Sequence, residues 1–159
     1  MNPPVRFGLI LGIAVAALGY VVPIAGLHTN PTMPNVFVVA AVVVNVVCVF
    51  LALRQTAADA TWMGQVVNAL IVGGIGAVLI FAGSWTMTTW VFPEYYAEYA
   101  AAMRETLSAA DLPSDLVAAQ MDAVEGATPA GSAFSGAIGA VITSAVAGAV
   151  VGIFKRKGR

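Results

Sequence analysis

The sequence predicts an all-α integral membrane protein: four transmembrane helices, with an extracytoplasmic helical hairpin between the third and fourth. Three observations predict it. Residues 7–27, 35–53, 62–92 and 131–154 carry no charged side chain, and a helix needs about 20 apolar residues to cross the hydrocarbon core. The chain is 60% hydrophobic and 9% charged, against about 25% charged in soluble domains. The few charges are sorted by sign between the stretches. Residues 1–159 thus form a single membrane domain, with no room for a second sizeable core.

The first stretch follows Arg6 as the core of a signal peptide would. It outruns the roughly 7–15 residues of such a core, so the reading is a retained helix. Gly8 and Gly12 stand four apart; Gly12, Gly19 and Gly26 stand seven apart. A seven-residue spacing drifts only about 20° per repeat, which gives a straight groove for helix packing. Pro23 predicts a kink near the end. The second stretch is valine-rich and would suggest a strand in water. In lipid the backbone must satisfy its own hydrogen bonds, so an isolated span is a helix. No stretch alternates in the way a transmembrane barrel strand does.

The third stretch is the longest. Trp62 and Trp85 lie about 34 Å apart along a helix, close to the hydrocarbon thickness of about 30 Å. Residues 86–92, with Trp90, then project beyond the membrane. Gly73, Gly74 and Gly76 in its middle read as a close-packing site rather than a flexible break. In the fourth stretch Ser132, Gly136, Ala140, Ser144, Gly148 and Gly152 repeat every fourth residue. Such small-residue stripes let helices approach. This one winds through about 200° over its length, so it is expected to touch two neighbours within the chain rather than one helix of a second copy.

Basic residues near helix ends stay cytoplasmic. With Arg6 inside, Arg54, Lys155, Arg156, Lys157 and Arg159 are also inside and only Arg104 is outside. Both termini are then cytoplasmic, and the loop at residues 94–125, with seven of the eight acids, lies outside.

Inside the spans, Asn45 and Cys48 share one helix face, and Gln65 and Asn68 share a face of the next. A hairpin centred on the loop between them places Asn45 opposite Asn68 and Cys48 opposite Gln65. The expectation is a hydrogen-bonded seam, because bare amides in hydrocarbon cost several kcal/mol. The alternative is a polar path for a small solute.

In the acidic loop, at residues 93–126, Pro93 suits the first position of a helix. Asp111 and Pro113 break that helix, Ser114 suits a second cap, and Gly126 a stop. Glu94 and Glu98 are spaced to share a cation, but no histidine accompanies them in sequence and the spacing fits no calcium loop. A solvated face of Glu94, Glu98, Glu105, Asp111 and Asp115 is expected, available to a partner. His28, the one histidine, reads as a lone surface side chain. No metal or cofactor site, no catalytic set and no nucleic-acid patch is legible, so the chain reads as non-enzymatic.

The Pro93-Glu94-Tyr95-Tyr96 entry to the loop, the segment at residues 7–12 (FGLILG) and the last helix, AIGAVITSAVAGAVVGIFKRK over residues 137–157, resemble a bacterial membrane family catalogued as domain of unknown function 4199. The resemblance covers essentially the whole chain. It implies a four-helix bundle in the inner membrane and carries no agreed activity, so no functional residue is transferred. The expected role is a scaffold or accessory subunit, with the lipid bilayer and another membrane protein or itself as partners. The alternative is an oligomeric small-solute channel or transporter. No charged residue enters a span, and such residues usually mark ion pathways.

Overall fold

A computed structural model describes residues 1–110 and 112–157; Asp111 and Arg159 lie outside the described residues. The described residues contain helices and no strand. Four helices are long and apolar enough to cross a membrane, and they build a bundle in which the start of the first and the end of the last lie at the same end.

Helix α1 (Pro3–Ile24) starts on two prolines, which suit a first turn whose N–H groups have no intrahelical partner. Pro23 falls at its last turn and marks the end of the helix. The following Gly26 takes φ +68°, a left-handed conformation open to glycine without a Cβ clash. It leads into a single 3₁₀ turn, Leu27–Thr29. Helix α2 (Met33–Gln55) runs back and is helical despite its valines. Thr61 caps α3 (Trp62–Thr86), its hydroxyl accepting from the Gly64 N–H at 3.2 Å. A π turn, Met87–Val91, then extends this helix, closed by Phe92 N–H donating to Met87 O at 2.8 Å. The resulting rod of 30 residues is about 45 Å long, well beyond the hydrocarbon thickness of about 30 Å.

Two short helices follow, α4 (Tyr95–Ala109) and α5 (Ser114–Glu125). They pack on each other, with Arg104 paired to Glu125. Their starts differ from the sequence expectation. Glu94 rather than Pro93 borders α4, and Pro113 rather than Ser114 borders α5, with no side-chain cap at either. Each proline's fixed φ sets up the turn just before its helix. Thr128 caps α6 (Pro129–Phe154), accepting from the Gly131 N–H at 3.1 Å.

The centre of the bundle is α3. It packs most extensively on α6 and next on α1, and much less on α2. The glycines explain the order. A β-carbon on Gly148 of α6 would collide with Ala69 Cβ of α3, and one on Gly73 of α3 would lie 2.6 Å from Ser144 Cβ of α6. On the α1 side, a β-carbon on Gly12 would lie 2.5 Å from Leu79 Cβ, and one on Gly76 2.7 Å from Leu11 Cδ2. The Gly73–Gly76 segment is accordingly unbroken helix used for close approach. Helix α2 has no glycine, so its valine coat keeps it further away.

Most of the buried core lies in the half of the bundle nearest the start of α1 and the end of α6. It is built from Leu11 and Val15 of α1, Val49 and Leu53 of α2, Ala69 and Val72 of α3, and Ala140 and Ala147 of α6. Towards the other end α2 and α6 part, while α1 still meets α3, a β-carbon on Gly83 lying 2.7 Å from Ala16 Cβ. There the small-residue readings need correction. Gly19 meets no atom closer than Phe37 at 4.0 Å, and Gly136 none closer than Ile80 at 3.7 Å. Neither is a close-packing position: Gly19 faces the ring edge of Phe37 on α2, and Gly136 the Ile80 side chain on α3, both at ordinary contact distance or beyond.

Gly148→Val is expected to destabilise the bundle by about 1–3 kcal/mol through overpacking. Gly74→Ala, at a position with open space around it, should be neutral or stabilising by up to about 1 kcal/mol. Reversible unfolding in mixed micelles checks both, and equal effects would remove the close-approach argument.

Candidate functional site

Polar side chains gather at three levels along the bundle, with a cavity between the upper two.

The first level is at the end bearing the termini. Gln65, one turn into α3, is fully buried. Its Nε2 donates to Leu53 O at 3.1 Å and to Lys155 O at 2.5 Å. The last carbonyls of a helix have no intrahelical partner; one amide thus satisfies the ends of both α2 and α6. Its Oε1 accepts from the Thr56 hydroxyl at 2.7 Å, and from Asn68 Nδ2 at 3.3 Å. Asn68 also donates to Thr56 Oγ1 at 3.2 Å. Nearby, Lys157 N–H donates to Ala60 O at 2.8 Å, Trp62 Nε1 to Ala149 O at 3.0 Å and Arg6 to Gln55 Oε1 at 3.2 Å. Gly152 lies under Gln65 and Trp62.

The second level is mid-bundle. Asn45 is 2% exposed. Its Nδ2 donates to Ala140 O at 2.9 Å, and its Oδ1 accepts from the Ser144 hydroxyl at 2.9 Å. The expected Asn45–Asn68 pair is therefore not formed, nor is Cys48 opposite Gln65: Cys48 lies in the apolar core. That pairing presupposed that consecutive helices α2 and α3 meet face to face. Instead α2 lays Asn45 on α6, the helix whose small residues leave its backbone carbonyls accessible.

Above Asn45 the parted helices leave a cavity of about 730 Å³, walled by α2 (Phe37, Ala41), α6 (Gly136, Gly139, Thr143) and the interior side chains Leu11 and Ile80. A second space of about 380 Å³ continues beneath α4 and α5, reaching Tyr95, Tyr96, Tyr99 and Val124. Volumes of about 300–1,000 Å³ are typical of ligand sites. The small-residue stripe of α6 thus changes role along its length. Ser144, Gly148 and Gly152 pack against α3, while Ser132 and Gly136 line this space.

The third level joins the short helices to the bundle. His28 is 8% exposed. The left-handed Gly26 turns the chain so that His28 meets α4, where Nε2 donates to Glu98 Oε2 at 2.5 Å and the ring stacks on Tyr95 at 5.4 Å between centroids. Nδ1 is buried and has no hydrogen-bond partner among the described residues. The lone-histidine reading and the freely solvated reading of Glu98 are both corrected. The two residues are 70 positions apart in sequence, so no local spacing announces the pair. Burial raises the Tyr95 phenol above its usual range, reinforced by Tyr96 and Tyr99, and burial raises Tyr99 as well. Both phenols therefore stay protonated across the neutral range. Glu94, Glu105 and Asp115 are exposed, and no cluster of three metal-ligating side chains occurs among the described residues.

These features define a small multi-pass membrane protein, tied at one end and hollow at the other. The chain belongs to the family described as Protein of unknown function (DUF4199), whose model matches residues 6–157. Neither a curated protein nor a solved structure matches it.

Gln65→Leu strips partners from two helix ends and should cost about 1–3 kcal/mol. Asn68→Leu, removing two longer bonds at a half-buried position, should cost nearer 0.6 kcal/mol, roughly the average in membrane bundles. Unfolding in mixed micelles separates them, and an Asn68→Leu loss as large as that of Gln65→Leu would refute the assignment. His28→Ala should loosen α4 by about 1 kcal/mol, discounted because Glu98 is half exposed, which is near a fivefold rise in amide exchange over residues 95–109. Unchanged exchange would mean that the contact holds nothing.

Proposed function

We propose that this protein is a non-enzymatic accessory or scaffold subunit of the bacterial inner membrane. In this reading both termini are cytoplasmic and the α4–α5 pair stands outside. The observation that carries it is how the polar groups are used. Asn45, Ser144 and Gln65, deep in the bundle, are taken up in tying helices together. Glu94, Glu105 and Asp115 are exposed and form no ion pair among the described residues. Polar chemistry directed inward is structural, and the carboxylates directed outward suit a basic surface on a partner. The basic run at Lys155, Arg156 and Lys157 suits anionic lipid, at about 1 kcal/mol per residue near the surface. The charge sorting supports the orientation.

The reading as an oligomeric channel draws less support. The cavity reaches down to Asn45, and the Gln65 cluster ties the far end together, an arrangement that favours packing over a path through one copy.

Cys48 is buried, so a cysteine introduced at position 105 is the reactive thiol. In intact cells, a membrane-impermeant bifunctional reagent should cross-link Glu105→Cys to a distinct membrane protein, and should leave Asp59→Cys unmodified. Modification of Asp59→Cys alone would invert the orientation, and reproducible labelling of Glu105→Cys with no captured protein would sink the partner role.

A further inference from the structure

The two cavities share Phe37, Ile80, Ser132 and Gly136 in their walls and adjoin one another. We propose that this space binds a lipophilic cation, with its apolar chain between α2 and α6 and its ammonium head against the tyrosines of α4. The inference goes beyond the accessory role and does not depend on it.

The depth of the space argues for a single chain. Along α6 its wall runs from Gly131 to Thr143, about 18 Å of helix, close to one leaflet's share of the roughly 30 Å hydrocarbon core. A partner helix would need a groove along the full span. The lower space is closed by Asn45, Leu11 and Ala140, where the Asn45 amide is already engaged by Ser144 and Ala140. A polar solute gains little there, and an alkyl chain fits. The rim at Val38, Val42 and Gly139 is exposed, a way in from the bilayer.

The sign of the head group follows from the charges around the upper space. Glu94, Glu98, Glu105, Asp115, Asp122 and Glu125 stand at this end of the bundle, with Arg104 the one basic Lys or Arg among the described residues there. The N-terminus of α6 also borders the space, at Thr128 and Gly131. Its partial charge of about +0.5 is small beside that excess of carboxylate. Among the described residues, no charged side chain lines the space itself. The head would instead meet the rings of Tyr95, Tyr96 and Tyr99, and tyrosine faces attract ammonium groups.

The test uses the full chain in nanodiscs of zwitterionic lipid, titrated calorimetrically with decyltrimethylammonium, decyl maltoside and decyl sulfate. Saturable binding of the cation, about tenfold tighter than the maltoside with the same tail, is expected. Gly139→Leu should abolish it. No neighbouring atom approaches the Gly139 Cβ position, so this variant fills the space and leaves helix packing alone, which an unchanged unfolding midpoint verifies. Tyr96→Leu with Tyr99→Leu should remove the preference for the cation and leave maltoside binding as it was. Equal binding of the three amphiphiles, preference for the sulfate, or full cation binding by Gly139→Leu would each overturn the proposal.

Discussion

Two helices in lipid gain nothing from hiding apolar surface, since the tails around them are as apolar as leucine. They hold together only where backbones come close enough for dense dispersion contact and an occasional hydrogen bond. Here that condition is met at one seam above all, where Ala69 of α3 sits on Gly148 of α6 and Ser144 of α6 sits on Gly73 of α3. The rest depends on it. The approach fixes Ser144 where its hydroxyl reaches Asn45, and that contact brings α2 to the pair. It also carries the end of α6 to Gln65. Helix α1 uses the adjacent face of α3 through Gly8, Gly12 and Gly76.

Much of this was legible in the chain. The four spans, the length excess of the third and the small residues at positions 144, 148 and 152 follow from composition and spacing, because lipid imposes helices and rewards small contact residues. What was not legible was which helices would be neighbours. Pairing Asn45 with Asn68 assumed that adjacency in sequence means adjacency in space. The absence of glycine from α2 was a readable warning against that assumption. Gly19 and Gly136 show the complementary limit: a small residue permits close approach but does not compel it. The His28–Glu98 contact had no local signature, since it depends on how one left-handed glycine redirects a short turn.

The bundle is therefore unlike at its two ends. Near the start of α1 and the end of α6, buried apolar side chains and a shared amide pack the helices together; near the short helices, α2 and α6 border a cavity. Both conditions arise from the same cause. Helix α2 is held where α6 offers Asn45 a carbonyl and a hydroxyl, and below that point where Val49, Ala52 and Leu53 are buried. Beyond Ala140 there is no such contact, and α4 and α5 cover the opening, secured through His28 and Tyr95.

The bond from Gln65 to the Lys155 carbonyl bears on where the molecule floats. In a simple span the vertical position is a compromise, because the helix can tilt or slide against the bilayer at small cost per ångström. Here the residue that begins the basic run is clamped to α3, and its ammonium lies over the Phe50 ring of α2. Three helices thus share one waterline, and a change in bilayer thickness must be taken up at the opposite, looser face.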